Sequence, residues 1–311
     1  MTLGDDVRGN SSSRDRDGFG CVHQWGFTEP HSCDTAWRWA VVSGAREFLA
    51  AYDQQLRTDA ETLGAMAVTR LGPLTVATFA GGRGFVTYGR PDRMAREQLP
   101  ALIPRVLDLC RANPAITQVE WKTRGHDAIP GLDEALVAHG FEREAPESIM
   151  VGEARVLAVD LPLPPGVALR HISREADARA MIAMQSQVFG PRTDDRDMLQ
   201  YLLARLLRQD GMQLWVAEAD GEIVSAGRIE PVAGTDFAGL WGGATLPAWR
   251  RRGIYRALTA ARARAALAMG KTLIQSDSTE YSRPILERSG LLKVSTTTPY
   301  RWSRPPGIGL G

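Results

Sequence analysis

The chain has 311 residues, 44% hydrophobic and 23% charged, with a formal net charge of +1. That length accommodates two domains of ordinary size. The near-neutral balance argues against nucleic acid or an anionic membrane as partner, and no stretch reaches the ~18 consecutive apolar residues of a membrane helix.

The opening residues, Met1 to Asp6, lack the apolar region of a signal peptide. Three cysteines, Cys21, Cys33 and Cys110, are a sparse and odd set, so a reduced cytoplasmic setting is expected. Residues 1–30 are rich in Ser, Arg, Asp and Gly and read as a disordered tail. Cys21-x-His23 and His31-x-Cys33 offer thiolates and imidazoles, but their spacing fits no common zinc module, and no metal is expected.

The first half, residues 31–160, begins with a helix capped by Asp34 and running through Ala50 or beyond. Strands follow at 65–69, 74–79 and 85–88, separated by Gly72-Pro73 and the glycines from 81 to 84, which suits an antiparallel meander. A helix over 98–111, a strand over 116–122 and a short helix over 132–139 stopped by Gly140 complete it. Lys122, Arg124, His126 and Asp127 form a polar run after the strand. They read as a solvated loop or as the edge of a site.

Residues 161–166, Leu-Pro-Leu-Pro-Pro-Gly, form a stiff extended linker. The pattern restarts in residues 167–311. A strand over 167–172 leads into a helix capped by Ser173 and reaching Phe189, then a second helix over 194–208. Strands at 214–218 and 223–230 flank Asp220-Gly221, a strong hairpin signal. A strand over 237–246, an Ala-rich helix over 253–269, a strand over 272–275 and a helix over 281–289 follow. The two halves rhyme: Leu136-Val137-Ala138-His139-Gly140 matches Leu286-Glu287-Arg288-Ser289-Gly290, 150 residues apart, which argues for duplication.

The most informative segment joins the 237–246 strand to its helix: Arg250-Arg251-Arg252-Gly253-Ile254-Tyr255-Arg256. A helix N-terminus presents unpaired N–H groups, and its dipole favours an anion. Gly253 lets the backbone approach phosphate closely. The segment resembles the acetyl-CoA loop of the GCN5-related N-acetyltransferases, the GNAT superfamily, whose pattern Arg/Gln-x-x-Gly-x-Gly/Ala falls on Arg250, Gly253 and Tyr255. Tyr255 replaces the last small residue. The element order of the second half and its Gly290-Leu291 exit are also similar to that family.

The resemblance implies an α/β fold with two GNAT-like domains in tandem, each a mixed, mostly antiparallel sheet flanked by helices. The first copy is degenerate: Gly89-Arg90-Pro91-Asp92 stands at its phosphate turn without the glycine spacing, so no CoA is expected there. The second implies transfer of an acetyl group from acetyl-CoA to a primary amine of a small molecule, without a metal. Ala244, Thr245, Leu246 and residues 250–256 would hold the cosubstrate, with Gly242-Gly243 bulging the strand. Backbone N–H groups from Gly243 to Thr245 would polarise the thioester carbonyl.

An alkyl ammonium, with a pKa of ~10.4, must lose a proton before it attacks. Glu230 is the expected base, with Asp236 as the alternative. The family's tyrosine acid is Leu286 here, and Tyr281 is the expected substitute. Two other readings stay open: an acyl-CoA-binding module without catalysis, and an aminoacyl or peptidyl transferase on the same duplicated fold.

Overall fold

The computed structural model of the protein describes residues 33–190 and 195–305. The tail expected over 1–30 and the cluster residues Cys21, His23 and His31 lie outside the described residues.

The first half runs α1 (Cys33–Gln55), β1 (Ala67–Leu71), β2 (Leu74–Phe79), β3 (Arg83–Tyr88), α2 (Arg93–Gln98), α3 (Ile103–Ala112), β4 (Gln118–Arg124), α4 (Leu132–Ala138), β5 (Glu142–Arg143) and β6 (Glu147–Glu153). Over the expected 98–111 helix the chain forms a 3-10 turn, Leu99–Leu102, and then α3, with α2 preceding them and ending at Gln98. Pro100 and Pro104 each sit in a first turn, where a missing N–H costs nothing.

After the short helix α5 (Ala154–Leu157), the second half runs β7 (Val167–Ile172), α6 (Glu175–Phe189), α7 (Asp195–Arg208), β8 (Gln213–Ala219) and β9 (Glu222–Pro231). It continues through β10 (Phe237–Thr245), α8 (Ile254–Ala268), β11 (Leu273–Ser278), α9 (Arg283–Arg288) and β12 (Leu292–Ser303). Asp220 and Gly221 both adopt positive φ, as the two-residue hairpin requires. Ser173 is not the cap of α6. That position falls to Arg174, whose side chain makes no capping bond.

All the strands join one mixed sheet in the order β1-β2-β3-β4-β12-β6-β11-β10-β9-β8-β7, with β5 alongside β12. Among the described residues, only β3–β4 and β10–β11 are parallel. The two halves exchange their last strands. β12, from the second half, pairs with β4 of the first from Thr297↔Arg124 to Ser303↔Gln118. β6, from the first half, pairs with β11 of the second from Leu273↔Glu153 to Ser278↔Ser148. Segments 31–160 and 167–311 therefore each depend on the other for a central strand.

Helix α1 lies over this junction. Tyr52 and Leu56 pack with Ile149 and Val151 of β6 and with Phe237 of β10. Burying each such side chain stabilises by about 1.5–3 kcal/mol. On the same sheet face, α6 and α7 cover β8 through Met181, Leu199, Leu202, Leu214 and Val216. The opposite face carries α8 and α9 against Ile229, Leu240 and Ile274.

Candidate acetyl-CoA site

β10 and β11 pair over three residues only, from Phe237↔Leu273 to Gly239↔Gln275, and then part. The hydroxyl of Ser276 donates to the carbonyl of Leu240 at 3.1 Å, the last tie across the gap. Beyond it no pair joins β10 to β11 among the described residues, and this parting is the slot that an extended arm lying along β10 requires.

Against β9, the register of β10 slips between Trp241 and Ala244. Gly242 has φ +61, and a Cβ on Gly243 would lie 2.8 Å from the Tyr255 ring. Both glycines of the bulge are thus required by geometry. The second answers the departure at Tyr255: the large residue at the helix start is accommodated by the missing side chain on the strand.

A 3-10 turn over Pro247–Trp249 leads into the basic loop. Arg250 donates through Nε to the carbonyl of Thr245 at 3.0 Å, folding the loop back on the strand end. Thr245 is itself held by the Ser225 hydroxyl at 2.8 Å. Arg252 lies over Trp249, 4.8 Å from the ring centroid. Arg251 and Gly253 take positive φ, and Gly253 opens α8 with no side-chain cap. The first helical bond there runs from Ala257 N–H to Gly253 C=O, so the amides of Ile254, Tyr255 and Arg256 precede it without a partner among the described residues. Arg251, Arg252 and Arg256 are exposed beside them. The slot, the bulge and an uncapped basic helix start thus share one end of β10, bringing the expected residues 244–246 and 250–256 together.

The expected proton carriers fare differently. Glu230 is nearly buried and fully engaged. One oxygen accepts from Arg228 Nε; the other accepts from Arg205 at 2.9 Å and from the Tyr201 hydroxyl at 3.4 Å. Burial alone would raise its carboxyl, but the Arg228 and Arg205 guanidiniums overcome that and leave it below the usual range. A carboxylate so held is a weak proton acceptor, at odds with the expected role as base. Asp236 lies just before Phe237, at the end of β10 away from the bulge, roughly 20 Å off at strand rise. It exchanges two hydrogen bonds with Gln55. Tyr281 precedes α9 rather than starting it and is 92% exposed, while Leu286 is buried in the core.

Glu147 carries no sequence signal that marks it for this site, yet the fold brings it near. Counting from Gly239↔Gln275 sets Asp277 opposite Trp241 across the gap, with its carboxylate paired to Lys122 at 2.6 Å. Glu147 is the next residue beyond the Ser278↔Ser148 pair, one strand further from the slot. Burial, with Asp277 nearby, pushes its carboxyl up to about 7. It comes from the first half, so only the strand exchange brings it here.

In the first half, the corresponding gap is filled. β3 and β4 pair as far as Val86↔Trp121. Past that point, the buried Arg124 bonds Thr87 and Glu61. Arg57 grips Asp127 at 2.9 and 2.8 Å and the Gly89 carbonyl at 2.9 Å. The polar run from 122 to 127 is thus largely a buried ion-pair network rather than a solvated loop. At the matching helix start, Asp92 accepts from the Ala95 amide at 2.8 Å, placing a carboxylate where an anion would bind.

Residues 178–290 match the profile of the acetyltransferase (GNAT) family. They form a GNAT acetyltransferase domain. The chain is therefore an enzyme of the acyltransferase class. It is similar in fold to a GCN5-related N-acetyltransferase from Kribbella flavida, with 19% identity and TM-score 0.57 over 85% of this chain and 96% of that one. A tandem GNAT protein from the clavulanic acid biosynthesis pathway shares 16% identity, with TM-score 0.54 over 84% and 96%. A functionally unknown conserved protein from Staphylococcus epidermidis ATCC 12228 gives 13% and 0.60 over 79% and 98%. No curated protein matches the chain by sequence. Among the described residues, no helix is long and apolar enough to cross a membrane, and no three His, Cys, Asp or Glu cluster as metal ligands.

Proposed function

We propose that the GNAT domain transfers an acetyl group from acetyl-CoA to a primary amine of a small molecule, in the cytoplasm and without a metal. The observation that carries this reading is the parting of β10 from β11 directly beside an uncapped, arginine-rich helix start. The amides of Ile254, Tyr255 and Arg256 meet the pyrophosphate, with Arg251, Arg252 and Arg256 adding charge. Ala244, Thr245 and Leu246 line the pantetheine arm. Amides of the bulge polarise the thioester carbonyl.

The amine nitrogen attacks the acetyl carbon, the C–S bond breaks, and the thiolate departs with CoA. Glu147 takes the ammonium proton through water, because a carboxyl titrating near neutrality suits that task. Glu230 positions Arg228 instead. Tyr281 supplies no proton, and the thiolate leaves as such or is protonated by water.

The test is CoA release by the full chain with a panel of amines, with the acetylated product identified by mass. Acetyl-CoA binding without any acetyl transfer would favour a binding module. Failure to bind CoA would favour a transferase that uses another acyl donor.

A further inference from the structure

Resting on that acetyltransferase reading, we propose that the acceptor carries a carboxylate close to its amine, held by Arg228 with Gln185. The acceptor is thus of the amino-acid class.

Arg228 sits on β9 opposite Trp241, beside the bulge, and its side chain is 16% exposed. Its Nε is committed to Glu230, which Arg205 and Tyr201 fix from behind. Its two terminal nitrogens have no hydrogen-bond partner among the described residues. Arg205, in contrast, is paired with both Asp210 and Glu230. The Arg228 fork is therefore anchored at its base and free at its tip.

The tip points at the reacting end of the slot. A Cβ on Gly242 would lie 3.0 Å from Arg228 Nη1 and 3.0 Å from Gln185 Nε2. Gln185, reaching in from α6, spends one N–H on the Gly242 carbonyl at 2.6 Å. Its second N–H remains. Two kinds of N–H donor converge over the bulge. The Glu230 carboxylate beside them is already engaged by Arg228, Arg205 and Tyr201.

A guanidinium fork is shaped for the two oxygens of a carboxylate. This donor pair lies on the face covered by α6 and α7, away from α8 and Tyr255. An acceptor entering on that face would seat its carboxylate on the fork, with its amine beside the thioester. The same fork aimed at the thioester oxygen would instead serve every acceptor equally, and the two roles separate by experiment.

The probes are L-amino acids and their C-terminal amides, tested in pairs by thiol-reagent detection of CoA release with the full chain. Acids should exceed their amides by about 10- to 100-fold in kcat/KM, the value of a charge-assisted bond pair. Arg228→Gln should erase that gap, with KM rising for acids by about 10-fold or more beyond any change for their amides. Arg228→Lys, which keeps the charge and loses the fork, serves if the Gln variant fails to fold, and it should narrow the gap. Amides equal to acids in the wild type would overturn the proposal. So would an equal fall in kcat for both members of a pair. Turnover confined to amines without a carboxylate, or binding of acetyl-CoA with no member of the panel acetylated, would overturn it and leave the cosubstrate site standing. Absence of acetyl-CoA binding would instead overturn the reading on which it rests.

Discussion

Arg124 donates from Nη1 to the hydroxyl of Thr87 at 3.0 Å, tying β4 to β3 where the matching strands β11 and β10 stand apart. Each half carries one parallel strand pair that parts before its end. Side chains bridge the first, whereas β10 and β11 share no pair beyond Gly239↔Gln275.

Arg124→Leu should therefore destabilise strongly without creating a second site. It leaves the Glu61 carboxylate without its buried partner, and breaking such a pair costs about 3–5 kcal/mol. Urea denaturation reads the loss. Acetyl-CoA titration should still saturate at one equivalent, because Asp92 still occupies the helix start. A second equivalent would contradict the plugged-copy account.

The strand exchange predicts that the halves do not fold separately. A fragment beginning near Leu161 lacks β6, which covers the β11 edge along six residue pairs. Expressed alone, residues 161–311 and 31–160 should each be insoluble or lack a cooperative unfolding transition. Co-expressed, they should purify as a complex. A soluble, cooperatively unfolding C-terminal fragment would refute the mutual dependence.

Glu147 makes two pH predictions. As proton acceptor it gives an ascending limb near pH 7 in kcat/KM, and Glu147→Gln should lower the rate by ~10²-fold or more and abolish that limb. The stability effect has the opposite sense to that of a paired carboxylate. Its folded value lies above its unfolded value, so its contribution is fully present below about pH 4.5 and is lost as pH rises through about 7. The Gln variant should thus gain thermal stability relative to wild type at pH 8, with the advantage absent at pH 4. A variant that keeps the wild-type rate and profile would remove Glu147 from the chemistry.

Glu230 and Tyr281 are separable by their surroundings. Glu230→Gln releases Arg228 and Arg205 together, so it should raise acceptor KM at least ~10-fold while leaving the position of the ascending limb unchanged. Tyr281→Phe removes a hydroxyl from a solvent-exposed ring and should stay within about twofold of wild type. A large fall in kcat for the phenylalanine variant would reinstate Tyr281 as the acid.

Local signals in the sequence were strong where the chain repeats a known physical device. Asp220-Gly221 specified its hairpin, and Gly253 after three arginines specified the start of α8. Gly242-Gly243 marked the bulge. Pairing between distant strands was not legible. Exchanging β6 and β12 leaves each strand's own alternation intact, so no local pattern distinguishes it from two closed sheets. Glu147 was missed for that reason, since its neighbours Asp277 and Lys122 come from two other strands. Glu230 was legible as a carboxylate near the cleft. Its engagement depends on Arg205, 25 positions earlier, reaching it from α7.

The central claim is that one acetyl-CoA binds at the helix start opened by Gly253. Titration calorimetry of the full chain tests it, with Gly253→Asp and Gly253→Asn compared. A Cβ at Gly253 meets nothing closer than the Pro162 carbonyl at 4.0 Å, and both residues tolerate its positive φ better than most. Both variants should therefore fold. The account predicts one site in the wild type, weakened binding with Asn, and none with Asp, whose charge opposes the pyrophosphate. Wild-type affinity in the folded Asp variant would contradict it.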